Sequence, residues 1–216
     1  MVISELKPLE ELTDSLKPYR KVFLVGCGDC ATACKSGGEE QLAAMKRELE
    51  ARGKTVTGCC VPSSCCVAAK LKAELAKNMA ALRDSEVVLV LACGSGTQSV
   101  KENDRLGLAV LPACNTVSAA ILDGKGDLYE RCSMCGNCVL EFSGGICPVT
   151  RCPKGLLNGP CGGMDKGKCE VDGERDCAWA LIYRELEKRG KLELLKKIRA
   201  PRDYKKSVRP HQLKVS

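Results

Sequence analysis

Seventeen of the 216 residues are cysteine, and eight of them fall between Arg131 and Trp179. Cys132, Cys135 and Cys138 are spaced C-x-x-C-x-x-C, so one short loop can wrap three thiolates around three corners of an iron-sulfur cube while a more distant cysteine closes the fourth. Cys147 and Cys152 are each followed by proline, as the remote ligand is in bacterial ferredoxin runs, and Cys161, Cys169 and Cys177 complete the set. Eight residues separate Cys138 from Cys147, where a ferredoxin has three, so the pattern is not that of a ferredoxin fold. Eight thiolates suffice for two four-iron clusters, and the surrounding glycines, Gly136, Gly144, Gly145, Gly155, Gly159, Gly162 and Gly163, supply the turns that tight cluster loops need. Two four-thiolate zinc sites would use the same ligands. Three ligands on one short turn favour iron-sulfur over zinc.

The other nine cysteines lie in the first half. Cys27, Cys30 and Cys34 follow a C-x2-C-x3-C spacing, and with Cys93 from a neighbouring loop they make one further candidate cubane site. The ligand set stays open there, because Cys59, Cys60, Cys65 and Cys66 offer four more thiols. The competing reading is packing: a free cysteine behaves as a small hydrophobe, which accounts for Cys114 better than for a rim of nine. A disulfide framework fits poorly. Seventeen is odd, and residues 1–20 are polar and charged without the apolar stretch of a secretory leader, so a reducing, cytoplasmic setting is expected.

These thiols must be held by an α/β scaffold. KVFLVG (21–26), KTVTG (54–58), EVVLVLA (86–92) and LGLAVLP (106–112) read as strands, and residues 37–53 and 67–82 carry helical spacing between them. Short connections argue for a small parallel sheet with flanking helices, whose strand-end loops gather on one edge and carry the cysteines there. An irregular cysteine-rich cluster-binding domain and a C-terminal helix follow. The expected division is an exposed leader at 1–20 with one short helix, an α/β domain at 21–125, the cysteine-rich module at 126–182, and a helix with a basic tail at 183–216. A short helix and a glycine-rich turn are expected between 115 and 130. Trp179, Ile182 and Leu186 mark one face of the C-terminal helix, continued by Leu192, Leu195 and Ile198.

Charge and composition exclude several functions. The formal charge is +7, but residues 184–216 alone hold twelve Lys/Arg against four Asp/Glu, a surplus of eight. Clusters add negative charge elsewhere. With aromatics at 3%, no base-stacking surface is on offer, and nucleic-acid binding is not expected. No apolar run reaches membrane-spanning length. The single histidine, His211, rules out a histidine-rich metal site. Gly26-Cys27-Gly28-Asp29-Cys30-Ala31 matches a G-x-G-x-x-A dinucleotide fingerprint after a strand, but no acidic residue ends the second strand to hold a ribose. Gly53-Lys54-Thr55 lacks the first glycine of a phosphate loop and precedes a strand.

The module resembles the cysteine-rich domain associated with methylenetetrahydrofolate reductases of acetogenic and related anaerobic bacteria, through C-x-x-C-G-N-C, GGICPVTRCPKGLLNGPCGG, G-K-C-E-V and C-A-W. The first half is similar to that family's small subunit, of the MetV type, through VGCGDCATACKSGGEE and LACGSGTQ. The resemblance spans roughly residues 21–182 and implies an iron-sulfur subunit that relays electrons to the flavin of a MetF-type catalytic subunit, which reduces 5,10-methylenetetrahydrofolate to 5-methyltetrahydrofolate. It implies Cys27, Cys30, Cys34 and Cys93 as ligands of an N-terminal [4Fe-4S] cluster, and the eight module cysteines as ligands of two more. An upstream donor such as ferredoxin or a nicotinamide-oxidising module is implied as well. No folate or flavin site is visible in the chain itself. The alternatives are a zinc-stabilised scaffold that docks the flavoprotein, with zinc at a four-thiolate site, and a thiol-redox sensor built on the adjacent cysteine pairs.

Overall fold

The computed structural model describes residues 1–214, so the last two residues of the basic tail lie outside the described residues. The chain divides into two compact units, residues 1–118 and 119 onward. The first contains β1 (Val2–Leu6), α1 (Leu9–Ser15), β2 (Lys21–Val25), α2 (Cys30–Ala33), α3 (Glu39–Ala51), β3 (Thr55–Cys60), α4 (Ala68–Lys77), α5 (Met79–Arg83), β4 (Val87–Val90), α6 (Gly94–Asn103) and β5 (Ala109–Pro112). β6 (Cys114–Leu122) carries the chain onward to β7 (Leu128–Cys132), α7 (Pro148–Arg151) and α8 (Ala178–Lys188).

Four parallel strands in the order β3-β2-β4-β5 form the sheet of the first unit. Their sequences are almost continuously apolar because both faces are covered. Phe23, Val25, Val88 and Val90 point to one side, where Leu71 and Leu75 of α4, Leu82 of α5 and Val100 of α6 meet them. Val22, Leu24, Val87 and Leu89 point to the other, against Leu42, Met45 and Leu49 of α3. The strand period of two thus sorts one run of residues into two separate apolar layers.

Residues 1–20 are not an exposed leader. Leu12 and Leu16 stand one turn apart on α1 and its C-terminal end, are 1% and 0% exposed, and join the layer under α3. The helix expected over 67–82 is two helices, divided at Asn78, whose side-chain amide donates to the Glu74 carbonyl (3.0 Å) and competes with the regular ladder. β3 runs on through Cys60, so Cys59 and Cys60 sit inside a strand rather than after it. The helix expected between 115 and 130 is absent. Thr116, Val117 and Ile121 favour extended backbone, and β6 pairs antiparallel with β7 through Ala120↔Glu130 and Leu122↔Leu128. Asp123 sets the turn by accepting from the Lys125 and Asp127 N–H groups at 2.8 and 3.0 Å.

The second unit has little regular structure. Its core is Trp179, Ile182 and Leu186 of α8 with Cys177, against which Ile146, Cys152 and Leu156 pack. That helix presents the face expected of it. The face continues only in part: Gly190 (φ +64°) ends the helix, Leu192 in the following 3-10 turn (Leu192–Lys196) still packs against this core, and Leu195 and Ile198 are exposed. No helix among the described residues is long and apolar enough to cross a membrane.

Candidate metal centre

In the first unit the parallel register brings Val25, Cys60, Val90 and Pro112 level at one edge of the sheet. The cysteines of this half collect there because each strand hands over to a loop at that edge. Close backbone approach locks the loops: a Cβ at Gly26 would meet Leu42, and one at Gly37 would collide with the Leu91 carbonyl. The Gly28 N–H donates to the Pro62 carbonyl (2.9 Å) and the Cys27 N–H to the Gly37 carbonyl (2.9 Å).

Among the thiols of the edge, Cys27 is the one whose pKa is lowered. Its neighbour Cys65, buried and with its Sγ 2.9 Å from the Gly26 carbonyl oxygen, shares a proton with it. That side-chain hydrogen bond is the main reason the Cys27 pKa falls to about 6, with hydrogen bonding to the backbone of Cys65, Asp29 and Ala31 adding to it against the cost of burial. The same proton pushes Cys65 up. Burial pushes Cys60 and Cys114 up to about 12 each. Cys65 feels the charge of Cys27, Cys60 and Cys93, and Cys114 feels Cys93 and Cys34, so the thiols form one electrostatic group along the edge.

Of the four candidate ligands here, Cys27 faces Cys65, whereas Cys34 directs its Sγ to the Val2 carbonyl (3.4 Å). Cys30 also meets the Val2 backbone, and burial raises it. Cys93 is the N-cap residue of the ten-residue α6. Cys65 is the residue sequence reasoning left unassigned and the structure makes prominent; the doubled Cys59-Cys60 and Cys65-Cys66 pairs were its only signal.

The second unit places four of its eight cysteines around one cavity and three on one loop, with Cys147 at the N-cap of α7. Cys152, Cys161, Cys169 and Cys177 line one small cavity of ≈ 20 Å³, walled by Pro153, Pro160, Met164 and Trp179 and flanked by the ion-paired Lys154 and Glu170. Trp179 is held in that wall by its Nε1–H donating to the Leu156 carbonyl (3.1 Å). Cys177 is the N-cap of the eleven-residue α8, which puts the positive end of the helix at this cavity. A larger apolar cavity of ≈ 540 Å³, lined by Phe142, Tyr183 and Leu194 among others, shares Pro160, Met164 and Trp179 with it.

Cys132, Cys135 and Cys138 lie on a loop whose intervening residues Met134 (φ +52°) and Gly136 (φ +72°) are left-handed. That turn lets the Met134 N–H donate to the Cys132 sulfur (3.4 Å). Hydrogen bonding with the Asn137 backbone lowers the Cys135 pKa, and the Arg202 charge assists it. Cys147 Sγ lies 3.6 Å from Thr150 Oγ1 at the start of α7.

Among the described residues, no three cysteine, histidine, aspartate or glutamate side chains close to the spacing of a single-ion site. The donor chemistry nonetheless fits a thiophilic metal group: four thiols share one cavity, and a three-thiol loop already folds so that a backbone N–H meets sulfur.

Residues 111–205 match the family described as methylene-tetrahydrofolate reductase C terminal, so the cysteine-rich half carries a domain related to that reductase, as a reductase-associated subunit would. The match runs from the end of β5 through both cysteine sets of the second unit. No curated protein and no solved structure matches the chain.

Proposed function

We propose that the chain whose second half matches this reductase family is its electron-transfer subunit. In this reading the residues around 126–182 form the cluster module. Cys132, Cys135, Cys138 and Cys147 hold one [4Fe-4S] cluster and Cys152, Cys161, Cys169 and Cys177 a second. A third is held at the sheet edge by Cys27, Cys30, Cys34 and Cys93. The observation that carries the reading is that four module cysteines line one cavity while three others share one tight loop.

A bound iron-sulfur cluster supplies one-electron chemistry at a potential set by its surroundings. The chain's own residues do the rest. Cys93 and Cys177 stand at helix N-termini, where the negative charge of a bound group is stabilised. Trp179, itself buried, backs one thiol set. The Met134 N–H meets a sulfur of the other. Folate reduction belongs to a MetF-type flavoprotein partner, since the chain shows no clustered acid-base residues suited to it, and a ferredoxin or nicotinamide-oxidising module feeds electrons in.

One observation favours a second reading at one site. Four thiols line one cavity there, the donor count of a structural zinc site. Zinc there would make this set a structural staple, leaving the other cysteines to carry electrons or the whole chain to act as a scaffold for the flavoprotein. Iron, acid-labile sulfide and zinc analysis of protein purified without oxygen tests both. About twelve iron and twelve sulfide per chain are expected for three clusters; eight of each with one zinc supports the second reading. A fully active complex without iron or sulfide refutes electron transfer.

A further inference from the structure

Beyond the cysteines themselves, the segment after α8 returns to the three-thiol loop and is fastened there at both ends. At one end the Asn158 side chain grips Arg199: the Arg199 N–H donates to Asn158 Oδ1 (2.8 Å) and Asn158 Nδ2 donates to the Arg199 carbonyl (3.0 Å). The Arg199 guanidinium lies 3.4 Å from the centre of the Phe142 ring. At the other end the backbone of Lys206 presses on Gly136, between Cys135 and Cys138. A Cβ at Gly136 would stand 2.5 Å from the Lys206 carbonyl oxygen, so the close approach requires glycine quite apart from its left-handed φ. Asp203 stiffens the turn before Lys206 by accepting from the Lys205 N–H (3.1 Å).

Arg202 sits between these two fastenings. Its guanidinium stacks at 5.2 Å on Tyr204, no carboxylate among the described residues pairs with it, and its Nε is buried without a hydrogen-bond partner. A buried guanidinium donor left without an acceptor is costly, and native structures tolerate one where an acceptor is supplied on binding. The loop on which this segment packs at Gly136 carries Cys135 directly before that glycine, so sulfur is the acceptor chemistry this loop offers.

We propose that residues 199–206 form a strap over the Cys132–Cys138 loop and that Arg202 donates its Nε–H to sulfur of the group this loop holds, raising that group's reduction potential. Arg202 is a positioning residue that tunes the group without ligating it. A cation donating to sulfur favours the more negative, reduced state. The family match extends through Lys205 and so includes the strap as far as Arg202 and Asp203. The inference rests on the cluster reading above, and its test distinguishes the two.

The test is a redox titration of the full chain in complex with its flavoprotein, followed by electron paramagnetic resonance, after iron and sulfide have been counted. Arg202→Gln should lower one midpoint so that the reduced-to-oxidised ratio of that signal at fixed potential falls threefold or more, about 28 mV at about 59 mV per tenfold for one electron. Arg202→Lys, which keeps the cation but not the Nε–H, should fall between. Gly136→Ala should lower the same midpoint with Arg202 intact, by lifting the strap. Where Arg202→Gln fails to load iron, Arg202→Lys carries the test. Wild-type iron content with unchanged midpoints in all loaded variants overturns the role of Arg202 and leaves the cluster reading standing. A wild-type chain without iron and sulfide overturns both.

Discussion

The two units solve the problem of holding thiols in opposite ways. The first builds two complete apolar layers, from Phe23, Val88 and Leu71 on one face to Leu24, Leu89 and Leu49 on the other, and hangs its cysteines on the finished edge. Among the described residues the second unit's core cluster is small, Trp179, Ile182 and Leu186 with Cys177, and two of the residues packing there or completing it, Cys152 and Cys177, are themselves candidate ligands. A unit with its own core can position a ligand. A unit whose core includes the ligands needs the metal to close it.

The largest expected effect follows from that contrast. Structural metal sites contribute about 10 kcal/mol or more to the domains they close. Stripping metal anaerobically from the reduced chain should therefore abolish amide protection across Ala178–Lys188 while the β2 and β4 amides stay protected. Hydrogen exchange read by mass spectrometry checks this. Equal loss in both units would show that the first depends on metal as much as the second.

The opposite substitution sharpens the same contrast. Leu89 is 1% exposed in the middle of β4, and Leu89→Ala removes its side chain from the layer under α3. About 3 kcal/mol of the first unit's stability should go with it. Denaturation followed by exchange at the β2 strand measures the loss, and iron bound by the second unit should stay at the wild-type level.

What could be read from the sequence divides along the same line. The parallel sheet was legible because Val22–Val25 and Val87–Val90 are apolar runs of strand length between helical repeats, and burial on both faces leaves them no other use. The cysteine spacings were legible as cluster chemistry. Their grouping was not, because loops without a period leave no trace of which thiol meets which. Cys152 joins Cys161, Cys169 and Cys177 around one cavity, though it stands nearer in sequence to Cys147. The burial of Leu12 and Leu16 escaped because two leucines one turn apart in an acidic segment are a weak signal. The β6–β7 hairpin lost to a helical reading of Ala119 and Ala120, whose extended conformation is set by pairing with β7. Arg202 carried no sequence signal at all, being one of twelve cations in a basic tail.

A smaller effect should appear in the second unit alone. Trp179→Phe keeps the ring in the wall of the four-cysteine cavity but removes the Nε1–H that the Leu156 carbonyl accepts. The cost should be about 1 kcal/mol. It should show as a lower thermal midpoint for the second unit and faster release of its metal to a chelator, with no change in the first. An unchanged release rate would separate the wall from the hold on the metal.

The last effect concerns the sheet edge and depends on pH. In the metal-free, reduced chain Cys27 has its pKa lowered from 9.0 to about 6, chiefly by the Cys65 hydrogen bond. A lowered folded value means that the unfolded chain binds the extra proton between pH 6 and 9. Stability contributed by this group is therefore full above 9 and lost as the pH falls through 6. Cys60 and Cys114 run the other way: burial raises both from 9.0 to about 12, so their contribution is full below 9 and lost as the pH climbs toward 12. The two slopes meet, and the first unit of the metal-free chain should be most resistant to urea near pH 9. Cys65→Ser should flatten the acid limb by weakening the bond that holds Cys27 down, and leave the alkaline limb in place. A urea midpoint that does not rise between pH 6 and 9 in the unsubstituted chain would mean that Cys27 and Cys65 do not share a proton, and the edge would then be a row of independent thiols.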